Sequence, residues 1–250
     1  GNANDTLIGG SGADTLTGGP GGDSISLGEL TQATDTVVIG ASGHSTVLGF
    51  DTVYDFSVAN AGGTNNDVLN LPSNTIAANA TNVDGVDVGA IAKHSITNGI
   101  VTFTNAAGTP VVINASNRTD ALTYLSTNLT AAGATVGFAI DTDGNGSADS
   151  LMVFQDGVAP NFDIAVLLSG VNGVTLGTTA GQNVVRIVDT TAPTGSGAPS
   201  FTTGADSVVT VSRVDTKFHP HKVLVLDAGR LDFYDPAGAA VKQRQSLRPL

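Results

Sequence analysis

At 250 residues the chain has room for one large domain or two modest ones, and its 40% hydrophobic content permits a sizeable core. With aromatics at 5%, no Trp and no Cys, that core must be built of Val, Leu, Ile and Ala, and disulfide frameworks and zinc–thiolate sites are excluded. The net charge of −12 arises in residues 1–185, where sixteen acids face only Lys93 and Arg118, a balance that repels nucleic acid and anionic membranes and attracts divalent cations.

Fifteen of those sixteen acids are Asp, the short carboxylate suited to reaching a metal from a tight loop. No run of about twenty apolar residues marks a membrane span, and no signal peptide pattern precedes the first unit. The chain opens in mid-pattern at Gly1, as a fragment would.

The first element is a repeat. Asp5, Asp14 and Asp23 are nine apart, and Leu7, Leu16 and Ile25 follow each by two. The units read xGNANDTLI, GGSGADTLT and GGPGGDSIS, matching the nonapeptide G-G-x-G-x-D-x-U-x, in which U is aliphatic. In each unit the first six residues turn and the last three form a short strand. Glycines permit positive φ and let carbonyl oxygens converge on a cation, Asp completes an oxygen shell, and the aliphatic residue points into a narrow core. A glycine-rich linker would not hold an aliphatic residue at one offset three times.

This repeat resembles that of the RTX family, type I secreted bacterial proteins. The resemblance implies a β-roll in which one coil takes two nonapeptides and calcium is shared between turns eighteen residues apart. Carried onto this sequence, one site takes Asp5 and Asp23 with carbonyls of Gly1, Ala3, Gly18 and Pro20. A second takes Asp14 with carbonyls of Gly10 and Gly12. The partner turn of the second site, LGELTQATD, departs from the pattern: Gln32 stands where Asp is expected, and Asp35 lies three residues further on. Without calcium the carboxylates repel and the glycine turns lose entropy on ordering, so folding is expected to be coupled to metal.

In GFDTVYDF, Phe50, Thr52, Tyr54 and Phe56 are expected on one strand face, with Asp51, Val53 and Asp55 on the other. With DVLNLP (residues 67–72) this segment resembles the stretch after the roll in RTX carboxy-terminal domains. SITNGIVTFTNAAGTPVVINA (residues 95–115) predicts a β-hairpin around a Gly-bearing turn. TDALTYLSTNLTAA (residues 119–132) predicts a core-packing helix through Leu122, Leu125 and Leu129, capped by Asn117 or Thr119 and ended by Gly133.

Asp141, Asp143, Asn145 and Asp149 then form D-x-D-x-N-G-x-x-D. They match the first, third and fifth ligand positions of an EF-hand loop, with Gly146 at the sharp-turn position. The closing Glu would fall at Met152, and the flanks GFAI and LMVF read as strands. The segment is equally an Asp/Gly hairpin turn. DIAVLLSGVNGVTL (residues 163–176) predicts another strand pair.

The fold expected is all-β: a short parallel β-roll of nonapeptide repeats continuing into a β-sandwich or β-roll-like domain with one short helix. The boundaries expected are residues 1–34 for the roll, 35–188 for a secretion-type β-rich domain, 189–200 for a Pro/Ser/Gly/Thr linker, and 201–250 for a basic tail of unassigned role. No H-E-x-x-H, G-x-S-x-G or P-loop occurs, and His44, His94, His219 and His221 are scattered, so catalysis is not expected.

The resemblance implies a calcium-binding module of an extracellular bacterial protein. It would pass through type I secretion machinery, fold on calcium outside, and have no nucleic-acid or membrane-spanning role. Two alternatives stand beside this reading. One is a surface-layer or adhesin segment that self-assembles through calcium. The other is the accessory domain of a secreted protease or lipase.

Overall fold

In the nonapeptides the aliphatic position returns every nine residues, and the chain crosses between two sheets at that interval. A computed structural model describes residues 2–28, 33–40, 44–58, 66–157, 163–178, 184–189, 223–227, 230–234 and 240–246. Six short strands come first: β1 (Thr6–Ile8), β2 (Thr15–Leu16), β3 (Ser24–Ser26), β4 (Thr36–Val38), β5 (Asp51–Tyr54) and β6 (Val68–Asn70). β1, β3 and β5 stack in parallel, aligning Leu7, Ile25 and Val53. β2, β4 and β6 do the same in the second sheet, aligning Leu16, Val37 and Leu69. All six aliphatic residues belong to one core between the sheets.

The roll does not stop with the nonapeptides. Its successive coils advance by 18 and then 28 residues on one side, and by 21 and then 32 on the other. Parallel register survives these insertions because they fall between the strands, and closing a longer connection costs little more than closing a short one.

The chain continues through β7 (Thr75–Ile76), β8 (Ala80–Val88), β9 (Ile91–Thr97), β10 (Ile100–Thr104) and β11 (Pro110–Val111) to the helix α1 (Arg118–Asn128). Then come β12 (Ala134–Ile140), β13 (Ser150–Gln155), β14 (Ile164–Leu168), β15 (Val174–Thr178) and β16 (Val184–Asp189). Among the described residues the large sheet runs β1-β3-β5-β14-β13-β12-β10-β9-β8, with β7 on β12 and β11 on β10. The second sheet runs β15-β16-β6-β4-β2. The roll is joined to the rest by β14, which pairs with β5 in parallel and sets Val166 opposite Asp51.

β13 and β14 are buried on both faces, which is why they read as unbroken apolar runs. Leu151 and Val153 enter the core between the sheets, while Met152 and Phe154 enter a second core on the far face. There α1 packs Leu122, Tyr124 and Leu125 against Phe103 and Phe138. Among the described residues the chain is thus mostly β with one helix, as the sequence predicts.

Local expectations meet mixed outcomes. The β9–β10 hairpin forms around Asn98 and Gly99, both at positive φ, the geometry a two-residue turn demands. α1 begins after Asn117 but ends at Asn128 rather than 132, and Gly133 lies beyond it. Asn117 does not cap through its side chain; its Oδ1 accepts from Asn114 N at 2.8 Å instead.

Residues 163–176 give two strands that do not pair: β14 joins the large sheet and β15 the second. Nor do Phe50, Thr52, Tyr54 and Phe56 share a face. Asp55 at φ +62° breaks the alternation, so Phe56 enters the core between the sheets, Phe50 packs on the far one and Tyr54 is exposed.

Residues 195–250 form a separate compact unit. Its described strands, β17 (Val223–Asp227), β18 (Arg230–Tyr234) and β19 (Ala240–Ser246), make an antiparallel sheet in that order. His219, His221 and residues 190–200 of the linker lie outside the described residues.

Candidate metal centre

Each strand of the roll opens on the same tripeptide pattern: Asp, then Thr, Ser or Val, then an aliphatic residue. The instances are Asp5-Thr-Leu, Asp14-Thr-Leu, Asp23-Ser-Ile, Asp35-Thr-Val, Asp51-Thr-Val and Asp67-Val-Leu. The parallel register stacks these aspartates into two ladders. On one side Asp5 N donates to Asp23 Oδ1 at 2.8 Å, and Asp23 N donates to Asp51 Oδ1 at 2.8 Å. On the other, Asp14 N donates to Asp35 Oδ1 at 2.8 Å, and Asp35 N to Asp67 Oδ1 at 2.9 Å.

Asp5 and Asp23, expected as partners, are therefore neighbours one coil apart. For Asp14 the departure seen in LGELTQATD is resolved: Asp35 takes the rung, three residues later than the period requires. Gln32 and Gly1 lie outside the described residues. The nine-residue period does not reach Asp35, Asp51 and Asp67, which sequence reasoning leaves out of the site. The D-x-U signature, sought without the fixed period, finds all three.

In Asp23, Asp35, Asp51 and Asp67, Oδ1 accepts the backbone N–H of the preceding rung. Oδ2 of Asp14 and of Asp23 is buried without a hydrogen-bond partner, and Asp23 as a whole is only 2% exposed. A buried carboxylate in that state costs several kcal/mol unless its charge is compensated.

The glycines fit closely around it. A methyl built on Gly18 would sit 1.8 Å from Asp23 Oδ2, and one on Gly21 would sit 2.7 Å from the Ala3 carbonyl oxygen. The segments 3–4 and 21–22 are thus in contact, and Gly22 N also donates to Asn4 Oδ1 at 3.0 Å. Gly10 and Gly12 stand at φ +91° and +107°, conformations that turn successive carbonyls to alternate sides of the chain and that side chains resist. Pro20 bridges to His44 in the following turn. Unpartnered carboxylate oxygens, carbonyl-bearing glycine turns and the lack of room for side chains together fit a hard cation with oxygen ligands.

Residues 1–29 match the family model of the RTX calcium-binding nonapeptide repeat (4 copies). This end of the chain is an RTX-type calcium-binding module. No curated protein and no solved structure matches the chain.

The aspartate ladder outlasts the matched residues, and its last rungs differ. Both oxygens of Asp67 have backbone donors, Oδ1 accepting from Asp35 N at 2.9 Å and Oδ2 from Ser57 N at 2.6 Å. Asp51 is 1% exposed and keeps an unpartnered Oδ2. Desolvation pushes its carboxyl up to about 6; the Asp23 charge adds to the rise, and hydrogen bonds with the Asp23 backbone and the Ser45 side chain oppose it.

Outside the RTX coils, β12 and β13 form an antiparallel hairpin that carries the Asp141–Asp149 loop. Carboxylate oxygens of Asp141, Asp143 and Asp149 lie within 4.8 Å of one another. Asp141 holds the loop by accepting from Gly144 N at 2.7 Å and Gly146 N at 2.8 Å, with both glycines at positive φ. Asn145 is turned away: its Nδ2 donates to Asp143 Oδ2 at 2.8 Å and its Oδ1 accepts from Ser147 N at 2.8 Å. The Asp149 carboxyl is held below the usual range by the hydroxyls of Ser150 and Thr142. Three of the four expected residues therefore converge, on a loop whose polar atoms already serve one another.

Proposed function

We propose that the chain is the calcium-binding RTX module of an extracellular bacterial protein, folding when it meets calcium after export through a type I channel. The observation that carries this reading is the pair of aspartate ladders, in which Oδ1 of Asp23 holds the preceding coil and the buried Oδ2 of Asp14 and of Asp23 is left for a cation. Negative charge concentrated in residues 1–185 disfavours collapse of the metal-free chain, and glycine turns add entropy that only bound metal offsets.

Asp5 and Asp23 form the first site on this reading, with Asp14 and Asp35 the second. Carbonyls of Gly1, Ala3, Gly18 and Pro20 complete the first, and those of Gly10 and Gly12 contribute to the second. The Asp141–Asp149 loop is a further, weaker calcium site. The module has no catalytic role of its own; its work is calcium-triggered folding outside the cell.

A calcium titration followed by circular dichroism tests this. The spectrum should pass from disordered to β-rich as calcium rises, and a β-rich spectrum unchanged by chelator contradicts the reading.

A further inference from the structure

Asp51 lies beyond the residues that match the nonapeptide repeat, and the turn before it, STVLGF, has one glycine and no repeat pattern. It nevertheless copies Asp23 atom for atom. Each accepts the backbone N–H of the preceding rung on Oδ1 at 2.8 Å, and each buries an Oδ2 that no hydrogen bond reaches. The two turns are in direct contact: His44 bridges to both Pro20 and Gly21, and a methyl on Gly22 would lie 3.2 Å from the Phe50 carbonyl oxygen.

Asp67, at the equivalent end of the other ladder, shows the alternative. There Asp35 N donates to Oδ1 and Ser57 N to Oδ2, so each oxygen has a backbone partner. Oδ2 of Asp51 accepts no such backbone N–H, and its neighbour on the ladder is the carboxylate of Asp23. Two buried carboxylates on adjacent rungs repel until something positive lies between them, and oxygen-only donors select a hard divalent ion.

We propose that a calcium-class divalent cation binds at the junction of the Gly18–Asp23 and His44–Asp51 turns, held by the carboxylates of Asp23 and Asp51. This site lies outside the nonapeptides and rests on the reading of the chain as a calcium-binding module. It would fasten the roll to the following domain, because β5, which Asp51 begins, is the strand that pairs with β14.

Native mass spectrometry of the full chain at saturating calcium counts the ions. Asp51→Asn keeps the size and the Oδ1 acceptor but removes the charge, and should bind one ion fewer than the unaltered protein. Asp5→Asn, on the first nonapeptide site, should also lose one, and the double variant two. An unchanged count in Asp51→Asn beside a loss in Asp5→Asn overturns the junction site and leaves the module reading intact. No loss in either variant overturns both. Should Asp51→Asn fail to fold, long-wavelength anomalous diffraction from calcium-grown crystals of the unaltered chain decides. A calcium peak about 2.3–2.6 Å from Asp51 supports the site, and a water or no peak there overturns it.

Discussion

Gly18→Ala tests the ladder without disturbing the backbone. Gly18 is not in the left-handed region, so alanine is conformationally acceptable there, and only the new methyl matters. That methyl would stand 1.8 Å from Asp23 Oδ2, 2.6 Å from its Cγ and 2.8 Å from its Cβ. Rotating the carboxylate relieves the first two contacts but not the third, so the turn and the strand must part by several tenths of an ångström. The carboxylate is held on its other side by Asp5 N at 2.8 Å.

Losing that charge-assisted bond costs about 1.5–3 kcal/mol, equivalent to a fall of about 10- to 100-fold in calcium affinity. Isothermal titration with calcium reads this, with thermal unfolding at fixed calcium as a second measure. Gly177→Ala is the control. It too lies outside the left-handed region, and its nearest neighbour would be Val188 Cγ2 at an ordinary 3.6 Å, so it should change stability by less than about 1 kcal/mol. If Gly18→Ala binds calcium and melts like Gly177→Ala, the carboxylate is not where the ladder puts it and the reasoning fails.

Three further outcomes are expected. Asp35→Ala should weaken calcium binding clearly while Gln32→Ala leaves it nearly unchanged, because Asp35 holds the rung opposite Asp14; equal effects on titration would contradict that register. Asp23→Ala should lower calcium affinity more than Asp149→Ala, since Asp149 is already satisfied by Thr142, Asp143 and Ser150; the reverse order would move the principal site to the hairpin loop. The third outcome concerns pH at saturating calcium. Burial lowers the pKa of His94 in the folded chain, so the folded form binds fewer protons than the unfolded form, and stability from this group falls as pH drops through the free imidazole range, about 7 to 5. Urea unfolding at fixed calcium should show the unaltered chain losing stability relative to His94→Gln over that range, and a difference independent of pH would refute it.

The nine-residue spacing, the aliphatic residue two after each Asp, the hairpin around a Gly-bearing turn and the Leu-spaced helix are legible in the chain because each is local chemistry: a turn, a short strand, a helical face. That is also why the period misleads at Gln32. A parallel ladder is fixed by hydrogen bonds between coils, and it tolerates extra residues in the turns, so a rung can arrive 18, 21, 28 or 32 residues later and still align.

Three things are decided only in three dimensions: that Asp35, Asp51 and Asp67 extend the two columns, that β14 ties the roll to the second core, and that Oδ2 accepts a backbone N–H in Asp67 but not in Asp51. Sequence sets what each turn is able to bind. Which turns face each other, and so which carboxylates must share a cation, depends on contacts between residues far apart in the chain, and no local pattern encodes those.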